Sequence, residues 1–215
     1  MSVQIVIAGT DTDIGKTIFA AGLTRALSAH YWKPIQAGLA GETDSQCVQR
    51  LAALSADRIV PEAYRLTTPA SPHIAAEIDG IAIDVARLTP PHTLAPLVIE
   101  LAGGLAVPIT RQHLQIDVMA RWKAPVVLCA ATRLGTINHS LLSIQALKQR
   151  AVPILGIAFI GDENADSERT ICVFGGVKHL GRLPHLDPLT PDTLHRAFTD
   201  AFHVADLLGR GASGP

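Results

Sequence analysis

Two lysines, a threonine and two carboxylates stand in this chain where phosphate chemistry would need them. Lys16 and Thr17 close the stretch Gly9-Thr10-Asp11-Thr12-Asp13-Ile14-Gly15-Lys16-Thr17. Lys33 interrupts the apolar run Tyr31-Trp32-Lys33-Pro34-Ile35. Asp44 lies within Thr43-Asp44-Ser45, and Glu100 ends Pro96-Leu97-Val98-Ile99-Glu100, just ahead of Leu101-Ala102-Gly103-Gly104. Glycines let a backbone wrap closely round an anion, with its N–H groups pointing at phosphate oxygens. A lysine after the last glycine adds charge at the outer phosphates, and the adjoining threonine hydroxyl is a magnesium-ligand type. Asp13, Ile14, Gly15 and Ile18 complete this candidate nucleotide set. The spacing departs from the strict phosphate-loop pattern: one extra residue separates Gly9 from Gly15, and position 10 holds Thr instead of Gly.

The other candidates each carry two readings. A lysine in an apolar run is costly unless paired, so Lys33 either aims at phosphate or a developing anion, or reaches solvent from an edge strand. Asp44 either faces magnesium or, with Thr43 and Ser45, caps the helix that follows, and capping is the commoner use of an isolated Asp. A carboxylate at the end of a core strand needs a cation, so Glu100 calls for magnesium or an edge ion pair. Leu101-Ala102-Gly103 after it lets a ligand approach. Gly135-Thr136-Ile137-Asn138-His139 opens a helix and forms either a second anion site or an ordinary capped terminus, the latter favoured by residue type alone. His73 reads as a capping or packing residue.

These residues need a frame to hold them. Apolar runs at Val3–Ala8, Tyr31–Ile35, Pro96–Glu100, Pro125–Ala130, Ile154–Ile160 and His179–Leu183 read as strands. Helical periodicity marks Ile18–Ser28, Asp44–Leu54, Ile116–Trp122, Asn138–Arg150 and Pro191–Leu208. Thr68–His73 is a rigid turn that starts a further helix toward Ile78. Non-alternating strands between helices predict an α/β fold, a mostly parallel sheet with helices on both faces, of the P-loop NTPase type. Ligands in such sheets sit beyond the strands' carboxyl ends. Gly161-Asp162 after the fifth strand and Leu183-Pro184-His185 after the sixth therefore border a nucleotide base.

The 215 residues suit one domain, with 209–215 as a frayed tail. With 48% hydrophobic and 17% charged residues the chain is globular. A net charge of −1 and the lack of a basic stripe argue against nucleic acid or an anionic membrane as partner. Apolar stretches such as Ala124–Ala131 are too short to span a bilayer. Three dispersed cysteines and a start directly in a strand predict a reduced, cytoplasmic protein.

Taken together, Gly9–Thr17, Lys33–Gly38, Thr43–Ser45, Glu100–Gly104 and Gly135–His139 resemble the dethiobiotin (desthiobiotin) synthetase family, in its order and spacing over nearly the whole chain. The long phosphate loop is that family's own form. The resemblance implies an ATP-dependent cyclo-ligase of biotin biosynthesis that joins CO2 to 7,8-diaminononanoate. It implies magnesium held by Thr17, Asp44 and Glu100, with Lys33 and Lys16 as catalytic lysines. It also implies a homodimer with the substrate at its interface. Thr12 and Ala37 would touch that substrate, and its carboxylate would reach Gly135, Thr136, Ile137 and Asn138 of the other subunit. Two departures stand out. Ala37 replaces a Ser or Thr whose hydroxyl contacts substrate in many members. Gly161-Asp162 stands where some members place Asn-Asp to read adenine, so looser base selectivity is expected. Two rivals share the phosphate loop. A cobyrinate-type amide synthase would need a further glutamine-hydrolysing domain, for which there is no room. A nucleotide-switched partition ATPase would carry an extra lysine early in the loop, and positions 10–14 hold none.

Overall fold

Strand β1 (Gln4–Gly9) explains the architecture in miniature. Its alternate side chains go to opposite faces. Ile5 and Ile7 enter one core cluster, and Val6 and Ala8 enter another. A strand buried on both faces must lie inside a sheet covered on both sides, which is why its run is apolar without alternation.

The computed structural model describes residues 2–208, so the tail expected at 209–215 lies outside them. The strands after β1 are β2 (His30–Trp32), β3 (Ile35–Ala37), β4 (Ile59–Val60), β5 (Tyr64–Leu66), β6 (Leu97–Gly104), β7 (Val126–Ala131), β8 (Ile154–Ile160) and β9 (His179–Leu183). Seven form a sheet in the order β4-β2-β6-β1-β7-β8-β9, every pair parallel, and β3 pairs with β5 in a small second sheet. The helices are α1 (Lys16–Ala26), α2 (Asp44–Leu51), α3 (Pro72–Ile78), α4 (Gln115–Ala120), α5 (Thr136–Gln149), α6 (Ala165–Gly175), α7 (Pro191–Ala201) and α8 (Val204–Leu207). Phe19 and Leu23 of α1, Leu51 of α2 and Phe198 of α7 fill one face. Met119 of α4, Ile144 of α5 and Ile171 of α6 fill the other. The doubly wound α/β reading is correct.

Several boundaries differ from expectation. The run Tyr31–Ile35 is not one strand. Pro34 has no N–H to give the ladder, and the chain leaves the main sheet there to pair with β5. Strand β6 continues past Glu100 to Gly104. The last helix is broken at Phe202, which turns inward against Phe19 and Phe198 at 5.1 and 4.7 Å. Helix α6 carries no clear periodicity because Val173 and Phe174 are exposed, at 71% and 78%.

Candidate active site

The phosphate loop joins the end of β1 to α1. Gly15, the residue before the helix, has φ +91°, and a Cβ there would stand 2.7 Å from Ile160 Cγ2. Both the left-handed backbone and the close neighbour demand glycine. Lys16 is buried, and its ammonium donates to the Asp11 carbonyl at 2.7 Å, folding back over the loop. Burial first, then the charge of Lys33, lowers its pKa. Thr12 lies against the end of β6, its Oγ1 3.2 Å from where a Cβ on Gly103 would stand.

The end of β2, the middle of β6 and the first turns of α1 and α2 bring the remaining groups together. Lys33 is 5% exposed, with Nζ 2.8 Å from Asp44 Oδ2 and 3.0 Å from Glu100 Oε1. It also donates to the Leu101 carbonyl at 3.3 Å. This excludes the solvent-reaching alternative for Lys33. The Thr17 hydroxyl lies 2.9 Å from Asp44 Oδ1 and 2.8 Å from Glu100 Oε1, donating to one at a time. The capping reading of Asp44 is also excluded. Thr43 caps α2, its side chain accepting from Gln46 N while the Gln46 side chain accepts from Thr43 N. The Asp44 carboxylate is thereby left to the site. Glu100 sits on β6, an inner strand of the sheet, so its partner is not an edge charge.

The pKa directions follow from this packing. Burial pulls Lys33 down, but the carboxylates of Glu100 and Asp44 outweigh it and the net shift is upward. Burial likewise raises Asp44, and the Lys33 charge and hydrogen bond win, leaving it lowered. At rest the Lys33 ammonium is thus held between the Asp44 and Glu100 side chains.

Two residues not anticipated from sequence complete the shell. Tyr31 donates its hydroxyl to Glu100 Oε2 at 2.8 Å. Gln36 accepts from the Asp44 N–H at 3.1 Å and donates to the Ala37 carbonyl at 3.3 Å, tying the small sheet to α2. Tyr31 stands two residues before Lys33, on the last full turn of pleat before the chain leaves β2. Gln115 pins the Ala102 end of β6 through both its carbonyl and its N–H.

A cleft of about 520 Å³ opens beside the loop. Asp13, Ile14, Gly15 and Ile18 line one side, and Gly161, Asp162, Leu183, Pro184 and His185 line the other. The candidate phosphate and base residues thus border one space. Gly135, Thr136, Ile137 and Asn138 do not line it. They form the first turn of α5, where Gly135 has φ +96° and makes no side-chain cap. Beside them Leu134 is fully exposed, Ile137 is 37% exposed and Leu142 57%. Gly161 has φ +128°, and a Cβ there would stand 2.5 Å from Thr132 Oγ1. The space of a side chain at 161 is taken by Thr132.

A sequence model of the AAA domain family matches residues 3–193. An ATP-dependent dethiobiotin synthetase BioD of Nitrobacter hamburgensis is 61% identical over 208 residues, covering 97% of this chain and 98% of the relative. The protein of the same name from Agrobacterium fabrum is 60% identical with the same coverage. Among solved structures, the cell division ATPase MinD of Pyrococcus furiosus superposes with a TM-score of 0.58 at 14% identity, covering 99% of this chain and all of that one. A ParA family ATPase of Chlorobium tepidum gives 0.52 at 11%, covering 99% and 93%. At such identities the likeness concerns the fold alone.

Proposed function

The chain belongs to the ATP-dependent dethiobiotin synthetase family, and from that premise we propose how its residues carry the ring closure. The substrate is 7,8-diaminononanoate. One amine takes up CO2 as a carbamate. A carbamate oxygen attacks the γ-phosphorus of ATP, ADP leaves, and a carbamic–phosphoric anhydride forms. The second amine attacks its carbonyl carbon, phosphate departs, and the cyclic urea of dethiobiotin is closed. The observation that carries this reading is the meeting of Lys33, Thr17, Asp44 and Glu100 beside the phosphate-loop lysine.

Such phosphoryl transfer needs position and charge more than covalent help. Lys16 exchanges the Asp11 carbonyl for the outer phosphates. Lys33, already protonated, swings from the carboxylates to the transferring group. Magnesium fits the vacated acidic pair: it prefers one or two carboxylates with a hydroxyl, phosphates and waters completing its shell. Thr17, Asp44 and Glu100 would hold it, and it would supply neutralisation of phosphate charge. Thr12 and Ala37 contact the diamine, and the Gly135–Asn138 turn of a second copy receives its carboxylate at a helix N-terminus. The exposed Leu134, Ile137 and Leu142 beside that turn support a homodimer through α5. The whole chain acts as one domain, in the cytoplasm, where its three free cysteines stay reduced.

Purified protein with ATP, magnesium and bicarbonate should release phosphate only when diaminononanoate is added, and should sediment as a dimer at the assay concentration. Release that does not depend on the diamine would overturn the assignment and favour a switch-type ATPase.

Base selectivity follows from Gly161. With Thr132 occupying the side-chain space there, no side chain at 161 reads the base edge. Turnover with CTP and GTP should fall within about tenfold of ATP, since one missing neutral hydrogen bond changes binding by about 1 kcal/mol. A preference for ATP above a hundredfold contradicts this.

A further inference from the structure

The two oxygens of Glu100 face different neighbours. Oε1 meets Thr17 and Lys33, whereas among the described residues Oε2 accepts only the Tyr31 hydroxyl, at 2.8 Å. Glu100 is 1% exposed and Tyr31 not at all, so water reaches neither end of this contact. We propose that Tyr31 is a positioning residue: its phenol pins Oε2 and thereby holds Oε1 toward the metal and the phosphates. The proposal rests on the assignment of Glu100 as a magnesium ligand, and it adds a residue to which the family reading gives no role.

The geometry makes the pin rigid. Tyr31 lies on β2, paired with Val98 of β6 on one side and Ile59 of β4 on the other. Glu100 is two residues further along that same β6, so both ends of the hydrogen bond are fixed by one sheet. A carboxylate only accepts, so the phenol must donate. Rotation of Glu100 about its last bond would strand Oε2 in a dry site, which the phenol prevents. A group that orients a metal ligand in this way typically tunes metal affinity by tenfold or more.

Tyr31→Phe removes the hydroxyl and little else. Mn2+ binding in the presence of ADP, followed by electron paramagnetic resonance, should weaken about tenfold in this variant. ADP binding in the presence of a chelator should be unchanged. Tyr64→Phe is the matched control. Tyr64 is also buried, but its hydroxyl bonds only the backbone of Asp84, and its removal should leave Mn2+ affinity as in the wild type. Glu100→Gln separates this proposal from the one beneath it. If Glu100→Gln leaves Mn2+ affinity intact, the metal assignment itself fails. If it weakens binding while Tyr31→Phe does not, only the role of Tyr31 is refuted. Unchanged ADP binding reports that Tyr31→Phe is folded, and the double variant asks whether the two residues act together. In the Glu100→Gln background Tyr31→Phe should change Mn2+ affinity less than twofold, and an additive tenfold loss would show that Tyr31 acts independently of Glu100.

Discussion

Lys33→Met is expected to reduce turnover by about a thousandfold and also to destabilise the ligand-free protein. The first effect follows from removing the charge that meets the transferring phosphoryl group. The second follows from what Lys33 touches at rest. Its ammonium is the counter-charge of both Asp44 and Glu100, at 2.8 and 3.0 Å. Without it two carboxylates share one Thr17 hydroxyl. Breaking a buried ion pair from one side costs about 3–5 kcal/mol, a large part of the roughly 5–15 kcal/mol that holds a domain together. For a chain of this size the melting midpoint should fall by about 10 °C. Because the ammonium lies buried between two carboxylates, its loss should cost stability as well as turnover.

Magnesium sharpens the test. Once Lys33 is gone, no ammonium contacts the carboxylates directly, and a divalent ion should take its place. In Lys33→Met, magnesium without nucleotide should therefore raise the melting temperature by several degrees, whereas the wild type should respond weakly. Differential scanning fluorimetry with and without magnesium reads this directly. A variant that melts like the wild type in chelator would mean that the ion pair contributes nothing to stability.

What the sequence makes legible here is whatever depends on backbone context. The loop Gly9–Thr17 follows an apolar strand and precedes a helix, so its role is readable from order alone. Glu100 is readable because a carboxylate closing an apolar core run is expensive, although β6 itself runs on to Gly104. Asp44 is the opposite case. Its neighbours Thr43 and Ser45 make capping the sensible local reading, and only the Thr43–Gln46 reciprocal cap frees it for the site. Lys33 was ambiguous because an edge strand and an inner strand look alike until pairing is known, and β4 covers the outer side of β2.

The elements that escaped are those that tertiary contacts define. Strands β4 and β5 are two and three residues long, below the length at which periodicity carries information. The break at Pro34 follows from a partner, β5, that lies far along the chain. Tyr31 escaped for the same reason: its hydroxyl acts across strands, and nothing near it in sequence is a carboxylate. Thr132 became meaningful only when Gly161 was seen folded against it.

Lys16→Met should abolish turnover as thoroughly as Lys33→Met, yet leave the ligand-free protein at least as stable as the wild type. The two lysines are both buried but opposite in electrostatics. Burial and the repulsion of Lys33 lower the Lys16 pKa, and its ammonium meets only the Asp11 carbonyl. Burial also opposes Lys33, but Glu100 and Asp44 reverse the sign. By linkage, a lysine whose folded pKa is raised contributes stability below its unfolded pKa, and that contribution fades as pH rises through the folded value. A lysine whose folded pKa is lowered subtracts stability while it stays protonated. The raised pKa of Lys33 therefore adds stability at neutral pH and the lowered pKa of Lys16 does not, so removing Lys33 should lower the melting temperature and removing Lys16 should not. Methionine is near lysine in length and has no charge to desolvate, so the loop keeps its packing. Melting curves of the two variants at pH 7.5 in chelator, beside phosphate release with the diamine, decide this. Equal destabilisation by both substitutions would show that the charge asymmetry does not govern the resting site, and near-normal phosphate release from Lys16→Met would remove that lysine from the catalytic set.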